Sequence, residues 1–485
     1  MPYPIQAQPP LEFIPSKFDP LVFRTARSLL PTWRRWQIGI TDIEVSNLKT
    51  LATLYEQFQD GKIRFLIAFR HPSTNDPYSM ADMLWRQVPQ VMRQQKIPVK
   101  APVHAHFIYD RGIPLWAGEL VGWIYSRLGG TPIRRGKVDL MGLRSVRELF
   151  ANGQFPMAAA PEGATNGHNE IVSPIEPGIA QFGFWCIEDL HKAGRTEKVL
   201  IVPVGIQYRY VEPPWNLVEQ LLSKLELESG LVSADAVSGS EGDYPKGGTA
   251  SHRQTLLYRR LYRLGEHLLT LMEQFYKKFY GQSLPAVSTL TTEDFPDASS
   301  LSPNEQLAQR LQALLNTALS VAEQFFNLSP KGSLSDRCRR LEQAGWDRIY
   351  REDLKQIEAL SLVERGLADR VAEEADLRLW HMRLVETFVS VTGHYVAEKQ
   401  TIERFAETTL LLWDMVTRIK GKSPFPRPKL GQQRVKMTVG EPISVSDHWE
   451  AYQASRRQAV ASLTKELQTV MEEAIAIKPS LQVER

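Results

Sequence analysis

Residues 64–76 read R-F-L-I-A-F-R-H-P-S-T-N-D. Arg64–Phe69 is a short apolar run, the texture of a strand buried on both faces. A polar turn follows, and Ser79–Gln95 then has helical spacing. Strand, turn and helix in that order are the unit from which parallel sheets are built. Val199–Val204 (V-L-I-V-P-V) is a second run of the same kind, Pro156–Ala160 (P-M-A-A-A) a weaker third, and Ala180–Ala193 a further covering helix. The predicted fold is α/β, a mostly parallel sheet flanked by helices.

Past residue 215 the texture becomes helical. His252–Tyr280 sets Leu257, Leu261, Leu264, Leu268, Leu271 and Phe275 at helical spacing, and residues 251–280 carry six Lys/Arg against two Glu, a net +4. Residues 305–328, 334–375 and 377–420 also read as helices, with loops over 225–251 and 281–304. Ser423–Leu430 (S-P-F-P-R-P-K-L) breaks this pattern. Val435–Val439 and Pro442–Val445 then read as strands and Ala451–Ala476 as a last amphipathic helix. The expected organisation is a basic, aromatic helical segment over 1–60 and an α/β core over 61–215. A large all-helical insertion over 216–425 precedes the last strands and helix, 426–485, which complete the core.

The chain has 485 residues, 43% hydrophobic and 23% charged, enough to bury a sizeable core. A formal net charge of +3 gives no reason to expect a nucleic-acid partner. Cys186 and Cys338 belong to no paired motif, which argues against a disulfide framework and for a reducing, cytoplasmic setting. Met1–Pro10 lacks the pattern of a signal peptide, and no apolar run approaches the roughly 18 residues of a membrane span. Lys17, Arg24, Arg27, Arg34 and Arg35 face one acid, Asp19, among interleaved Leu, Phe and Trp. That mixture suits a segment lying on an anionic membrane surface; the alternative is a helix packed on its own domain. If the stretches 17–36 and 251–280 both dock on membrane, binding weakens with salt.

Of the ten histidines only His71 has an aspartate five residues on, Asp76. Histidine suits general-base work because its pKa lies near operating pH, and a carboxylate on its other ring nitrogen fixes the tautomer. On a regular helix a separation of five leaves two side chains about 140° apart. His71 is therefore expected in the turn before a helix, with Pro72 at the first helical position and Asp76 in the first turns. Three further features follow in order: Gly129–Arg135 (G-G-T-P-I-R-R), Pro161–Gly163 (P-E-G) and Val202–Val204 (V-P-V). There is no G-x-S-x-G, no phosphate-binding G-x-x-x-x-G-K-[ST] loop and no G-x-G-x-x-G. His104 and His106 with Asp110 lack the further ligand a metal site needs, so no metal and no cofactor are expected.

Taken together, these blocks resemble the glycerolipid (lysophosphatidic acid or glycerol 3-phosphate type) acyltransferase superfamily. His71, Ser73 and Asp76 match its H-x-S-x-x-D block. Gly129, Ile133 and Arg135 match its second block, with Pro132 where the family has an aromatic. Pro161, Glu162 and Gly163 match the third, and Pro203 the fourth. The resemblance implies direct O-acyl transfer from acyl-CoA or acyl-carrier protein to a lipid or lysolipid hydroxyl, at a membrane surface and without an acyl-enzyme. It makes His71 the base and Asp76 its orienting partner. Ser73, Arg134, Arg135, Glu162, Gly163 and Thr165 become the substrate-binding set. Two positions depart from the pattern: Arg70 replaces an asparagine, and Ala164-Thr165-Asn166 stands where the family has a Thr-Arg pair whose arginine holds acceptor phosphate; either Arg134 and Lys137 compensate or the acceptor carries no phosphate there. The alternative reading is a catalytically degenerate lipid-binding or scaffolding protein on the same fold.

Overall fold

The computed structural model describes residues 5–100, 102–134, 138–231, 252–282, 284, 302–389, 391 and 393–476. Glu12–Glu212 and the chain from Gly431 onward form an α/β unit; Pro213–Leu430, with the segment up to Leu11, forms a helical one. The α/β unit opens with α1 (Pro20–Trp33), β1 (Ile40–Ser46), α2 (Leu48–Gln59) and β2 (Ile63–Phe69). Next, α3 (Asp76–Asp82) runs through a π-helical turn at Met83–Gln87 into α4 (Val88–Gln94). Then come β3 (His106–Asp110), α5 (Ile113–Ala117), α6 (Glu119–Arg127), β4 (Gly130–Ile133) and α7 (Leu140–Asn152). The first pass ends with β5 (Met157–Ala159), α8 (Gly178–Lys192) and β6 (Lys198–Tyr210).

The helical unit holds α9 (Trp215–Glu228), α10 (His252–Tyr280), α11 (Pro303–Phe326), α12 (Leu334–Ile349), α13 (Leu362–Phe388), α14 (Tyr395–Glu398) and α15 (Ile402–Ile419). Three of these helices begin with the same reciprocal cap, a serine and the acid three residues on: Ser302 with Glu305, Ser333 with Asp336, and Ser361 with Glu364. The cap at Ser361 divides the predicted single helix 334–375. Arg337 of α12 and Glu323 of α11 form a buried ion pair at 2.7 Å. At the crossing of α12 and α13, a Cβ added to Gly345 would lie 2.5 Å from Leu379 Cγ. The chain then returns as β7 (Gln433–Val439), β8 (Ile443–Ser444), α16 (Trp449–Ala454) and α17 (Arg456–Ile475).

The sheet order is β1-β7-β6-β2-β5-β3-β4, with β8 beside β6. β2 runs parallel to β5 and β6, and β3 parallel to β5 and β4, while β7 is antiparallel to β6. The fold is thus the predicted mostly parallel sheet flanked by helices, with the helical region before the last strands. Successive residues of a strand point to opposite faces. Ile63, Phe65, Ile67 and Phe69 accordingly join a core with residues of α1 to α4, while Leu66 and Ala68 join one with α7, α8 and α17. Both faces are covered, which is why β2 reads as one unbroken apolar run. Its single charge, Arg64, donates to the carbonyls of Phe150 (2.7 Å) and Gly153 (2.8 Å) at the end of α7, where the helix dipole favours a cation.

The structure departs from the sequence reading over 1–60. That span is not a separate helical segment: Ile40–Ser46 is a strand paired in parallel with β7, and residues up to Leu11 go with the helices. No described helix is long and apolar enough to cross a membrane. Gly345→Val forces the 2.5 Å contact apart and is expected to destabilise the helical unit by about 1–3 kcal/mol. A lowered denaturant midpoint followed by circular dichroism checks this; an unchanged midpoint contradicts it.

Candidate functional site

β2 delivers Arg70 and His71 to the carboxyl end of the parallel strands, the end at which open α/β sheets bind ligands. The helix there begins at Asp76, with Pro77 next; Pro72 lies in the preceding turn, and the predicted start at Pro72 is corrected accordingly. Asp76 caps that turn from within. Its Oδ2 lies 2.9 Å from His71 Nδ1 and accepts the Ser73 N–H at 2.9 Å, and its Oδ1 accepts the Tyr208 hydroxyl at 2.6 Å. The carboxyl group has 0% exposure. Burial raises the Asp76 pKa above the ordinary 3.8, against the opposing pull of His71, Tyr208 and Ser73. Burial, and then Asp76, hold the Tyr208 hydroxyl protonated well above 10, so it remains a donor.

Since both carboxylate oxygens already accept hydrogen bonds, the imidazole hydrogen belongs on Nδ1. That leaves the Nε2 lone pair with no partner among the described residues, on a side chain 23% exposed. In this tautomer the open Nε2 is the ring atom that can accept a proton.

A second buried cluster holds the His71 backbone. Glu162, 3% exposed, follows β5, and its Oε1 accepts the backbone N–H of His71 at 2.8 Å and Arg70 Nε at 3.4 Å. Its Oε2 accepts Asn166 Nδ2 and the Ser173 N–H, both at 2.9 Å. Arg70, with no exposure, also donates to the carbonyls of His168 (2.9 Å), Asn169 (2.7 Å) and Ile171. Asn169 Oδ1 accepts the N–H of Tyr208 at 2.7 Å, which ties the same loop to β6. The two departures from the family pattern, Arg70 and Asn166, thus belong to one network that sets the height of His71. Gly163 has a left-handed φ of 73°, which glycine adopts without strain, and Thr165 is half-buried in the same loop. Ser73 Oγ accepts the Asn75 N–H at 3.2 Å and so helps shape the turn.

Register relates the other candidates to His71. Ala68 pairs with Ala159, Phe107 with Ala158 and Asp110 with Ile133. His71, Glu162, Arg111 and Arg134 each follow the carboxyl end of their strand, β2, β5, β3 and β4, along one edge of the sheet. At roughly 4.8 Å per strand, β4 is about 14 Å from β2. Arg111 Nη2 donates to Asp139 Oδ2 at 2.5 Å, and Asp139 also accepts the N–H of Arg134 at 2.9 Å and caps α7 through Gly142 at 3.1 Å. The Nε atoms of Arg111 and Arg134 are buried without a hydrogen-bond partner among the described residues. Arg135 and Lys137 lie outside the described residues. Tyr208 and Arg111 escaped the sequence reading. Tyr208 is 132 residues from its partner Asp76, and Arg111 stands in no motif. His104 and His106 serve the fold: His104 Nε2 lies 2.7 Å from the Leu128 carbonyl, and its Nδ1 accepts the Trp85 indole N–H at 2.9 Å.

Comparison with family models, with curated proteins and with solved structures finds no match for this chain. The resemblance rests on the quoted sequence blocks alone.

Because the folded Asp76 binds its proton more tightly than the unfolded one, the wild-type fold loses stability as pH rises from about 4 through the raised value. Asp76→Asn lacks that titration. The melting temperature of this variant relative to wild type is expected to climb across the same window; a difference flat with pH contradicts it. Glu162→Ala leaves the Arg70 charge buried without its carboxylate and is expected to destabilise the α/β unit by about 3–5 kcal/mol, measured by denaturant unfolding.

Proposed function

We propose that this protein is an O-acyltransferase that moves a fatty acyl group from an acyl thioester, on CoA or a carrier protein, to a hydroxyl of a glycerolipid-type acceptor. The observation that carries the reading is the His71 Nδ1–Asp76 Oδ2 contact of 2.9 Å at the carboxyl edge of the sheet, with Nε2 left open. In this reaction His71 Nε2 takes the hydroxyl proton as the acceptor oxygen attacks the thioester carbonyl. Asp76 stabilises the imidazolium that results. The tetrahedral intermediate collapses, the carbon–sulfur bond breaks, and the departing thiolate recovers the proton from Nε2. Transfer is direct, with no acyl-enzyme.

Arg134, with Arg111 beside it, supplies positive charge for an anionic acceptor group at the far side of the same edge. Arg111 here takes a role that the sequence motifs do not give it. The lipid acceptor brings the protein to a membrane surface as a peripheral visitor, and the exposed arginines, leucines and tryptophans of residues 17–36 support that setting.

The test incubates purified protein with labelled acyl donor and a total lipid extract, with lipids read by mass spectrometry. Acyl transfer is expected, and His71→Ala is expected to lower it by roughly 10²- to 10⁴-fold. Undiminished transfer in that variant ends the proposal. Liposome binding with no turnover across donors and acceptors would favour the alternative, a lipid-binding protein without catalysis.

A further inference from the structure

The exposed large apolar side chains of the α/β unit are unevenly placed. Among the described residues they all fall between Leu21 and Met141, with none on α8, β6, α16 or α17. Four of them, Leu21 (71% exposed), Leu29, Trp33 and Trp36 (77% exposed), lie on α1 or the π-helical turn Arg34–Ile38 that continues it. Arg24, Arg27 and Arg35 are exposed on the same segment, and no carboxylate among the described residues pairs with any of them. Elsewhere the arginines are commonly paired, as at Arg147–Asp189, Arg310–Glu273 and Arg337–Glu323.

Beside α1 is a groove of about 370 Å³. Its walls are carbon: Phe23 from α1, Trp85 and Pro89 from the helix after Asp76, and Ile97 and Val103 from the segment that follows. The Trp85 indole N–H is turned inward to His104, so it offers nothing to the groove. The charged groups of the lining are Arg27 and Arg93, both exposed and both without a carboxylate partner among the described residues. An apolar trough flanked by two free guanidiniums and no acid is complementary to an amphiphile with a hydrocarbon body and an anionic head.

The groove is not an extension of the His71 site. β3 runs parallel to β5, and β5 to β2, so β3 starts at the end of the sheet away from His71. The segment carrying Ile97 and Val103 leads into β3 and lies at that end. Arg93 is 17 residues beyond Asp76 along a nearly continuous helix, roughly 25 Å at 1.5 Å per residue.

We propose that this groove holds one anionic phospholipid drawn from the bilayer, its phosphate between Arg27 and Arg93 and an acyl chain against Phe23, Trp85 and Ile97, while α1 lies in the membrane interface. The occupant is a lipid rather than free phosphate because the walls are apolar and because α1, which lends Phe23 and Arg27 to the groove, also exposes Leu21, Leu29 and Trp33, with Trp36 on the turn that continues it. This docking lipid is separate from the lipid that reacts, and its binding needs no acyl transfer.

The experiment uses the full chain with no acyl donor. Phosphatidylcholine vesicles carry phosphatidate with a photoactivatable group in its acyl chain, and labelled peptides are mapped by mass spectrometry. Label is expected within residues 85–103. Arg27→Gln combined with Arg93→Gln replaces two exposed residues and leaves the core intact. It is expected to reduce that label by on the order of tenfold to thirtyfold, the effect of two interfacial charges. Trp33→Ser combined with Trp36→Ser is expected to reduce vesicle co-sedimentation as a whole. Label falling elsewhere, equal label from a phosphatidylcholine probe, full label in the double arginine variant, or displacement by inorganic phosphate would each overturn the assignment. Because no turnover is read, these outcomes stand apart from success or failure of the transferase assay.

Discussion

A carboxyl group cut off from water is stable only where donors surround it, and Asp76 has three. One is a ring nitrogen five residues back, one a backbone N–H in the same turn, and one a phenol from β6. Each constrains a different part of the unit. The backbone donor closes the turn that carries His71, the phenol ties the start of α3 to β6, and the ring nitrogen acquires a fixed tautomer as a result. Losing the carboxylate would leave three groups without an acceptor, so the orientation of His71 and the local packing are one problem with one solution.

Arg70 and Glu162 give that solution a foundation. They join the ends of β2 and β5, and they hold the loop over 166–173, Arg70 by its carbonyls and Glu162 by the Asn166 amide and the Ser173 N–H. Buried ion pairs contribute little to net stability when compared with apolar packing. Their value here lies in position: Glu162 takes the backbone N–H of His71 itself, so the height of the histidine follows from where β5 ends.

Much of this was legible in the sequence, for physical reasons that vary by element. β2 and β6 could be read because both faces of a central strand are apolar. β1 (I-T-D-I-E-V-S) stands at the sheet edge with Asp42 and Glu44 among its residues, so it shows no apolar run. β3 begins with a histidine whose ring meets the Gly129 carbonyl, and β4 is four residues long and contains a proline. Neither has the texture of a buried strand. The split between α12 and α13 was signalled by S-L-V-E at Ser361–Glu364, but helical spacing alone ran across it. The pair His71 and Asp76 was visible because it is local. Tyr208 was not, because nothing in the texture of β6 marks which of its residues will meet a carboxylate on α3, and the burial of Glu162 depends on strand order in the same way.

The seam between β6 and β7 has one more consequence. Val211 donates its N–H to the Gln432 carbonyl at 2.9 Å, directly beyond the pairing of Tyr210 with Gln433. The chain therefore leaves the sheet and rejoins it at neighbouring points, after a detour of more than two hundred residues. Joined there by a tight turn, β6 and β7 would be an ordinary hairpin, and every strand would keep its neighbours. Topologically the helices are a side trip, and the entropic penalty of so long an excursion grows only with the logarithm of its length. A sheet built this way tolerates additions or losses at that one point without re-registering the strands that carry His71 and Glu162.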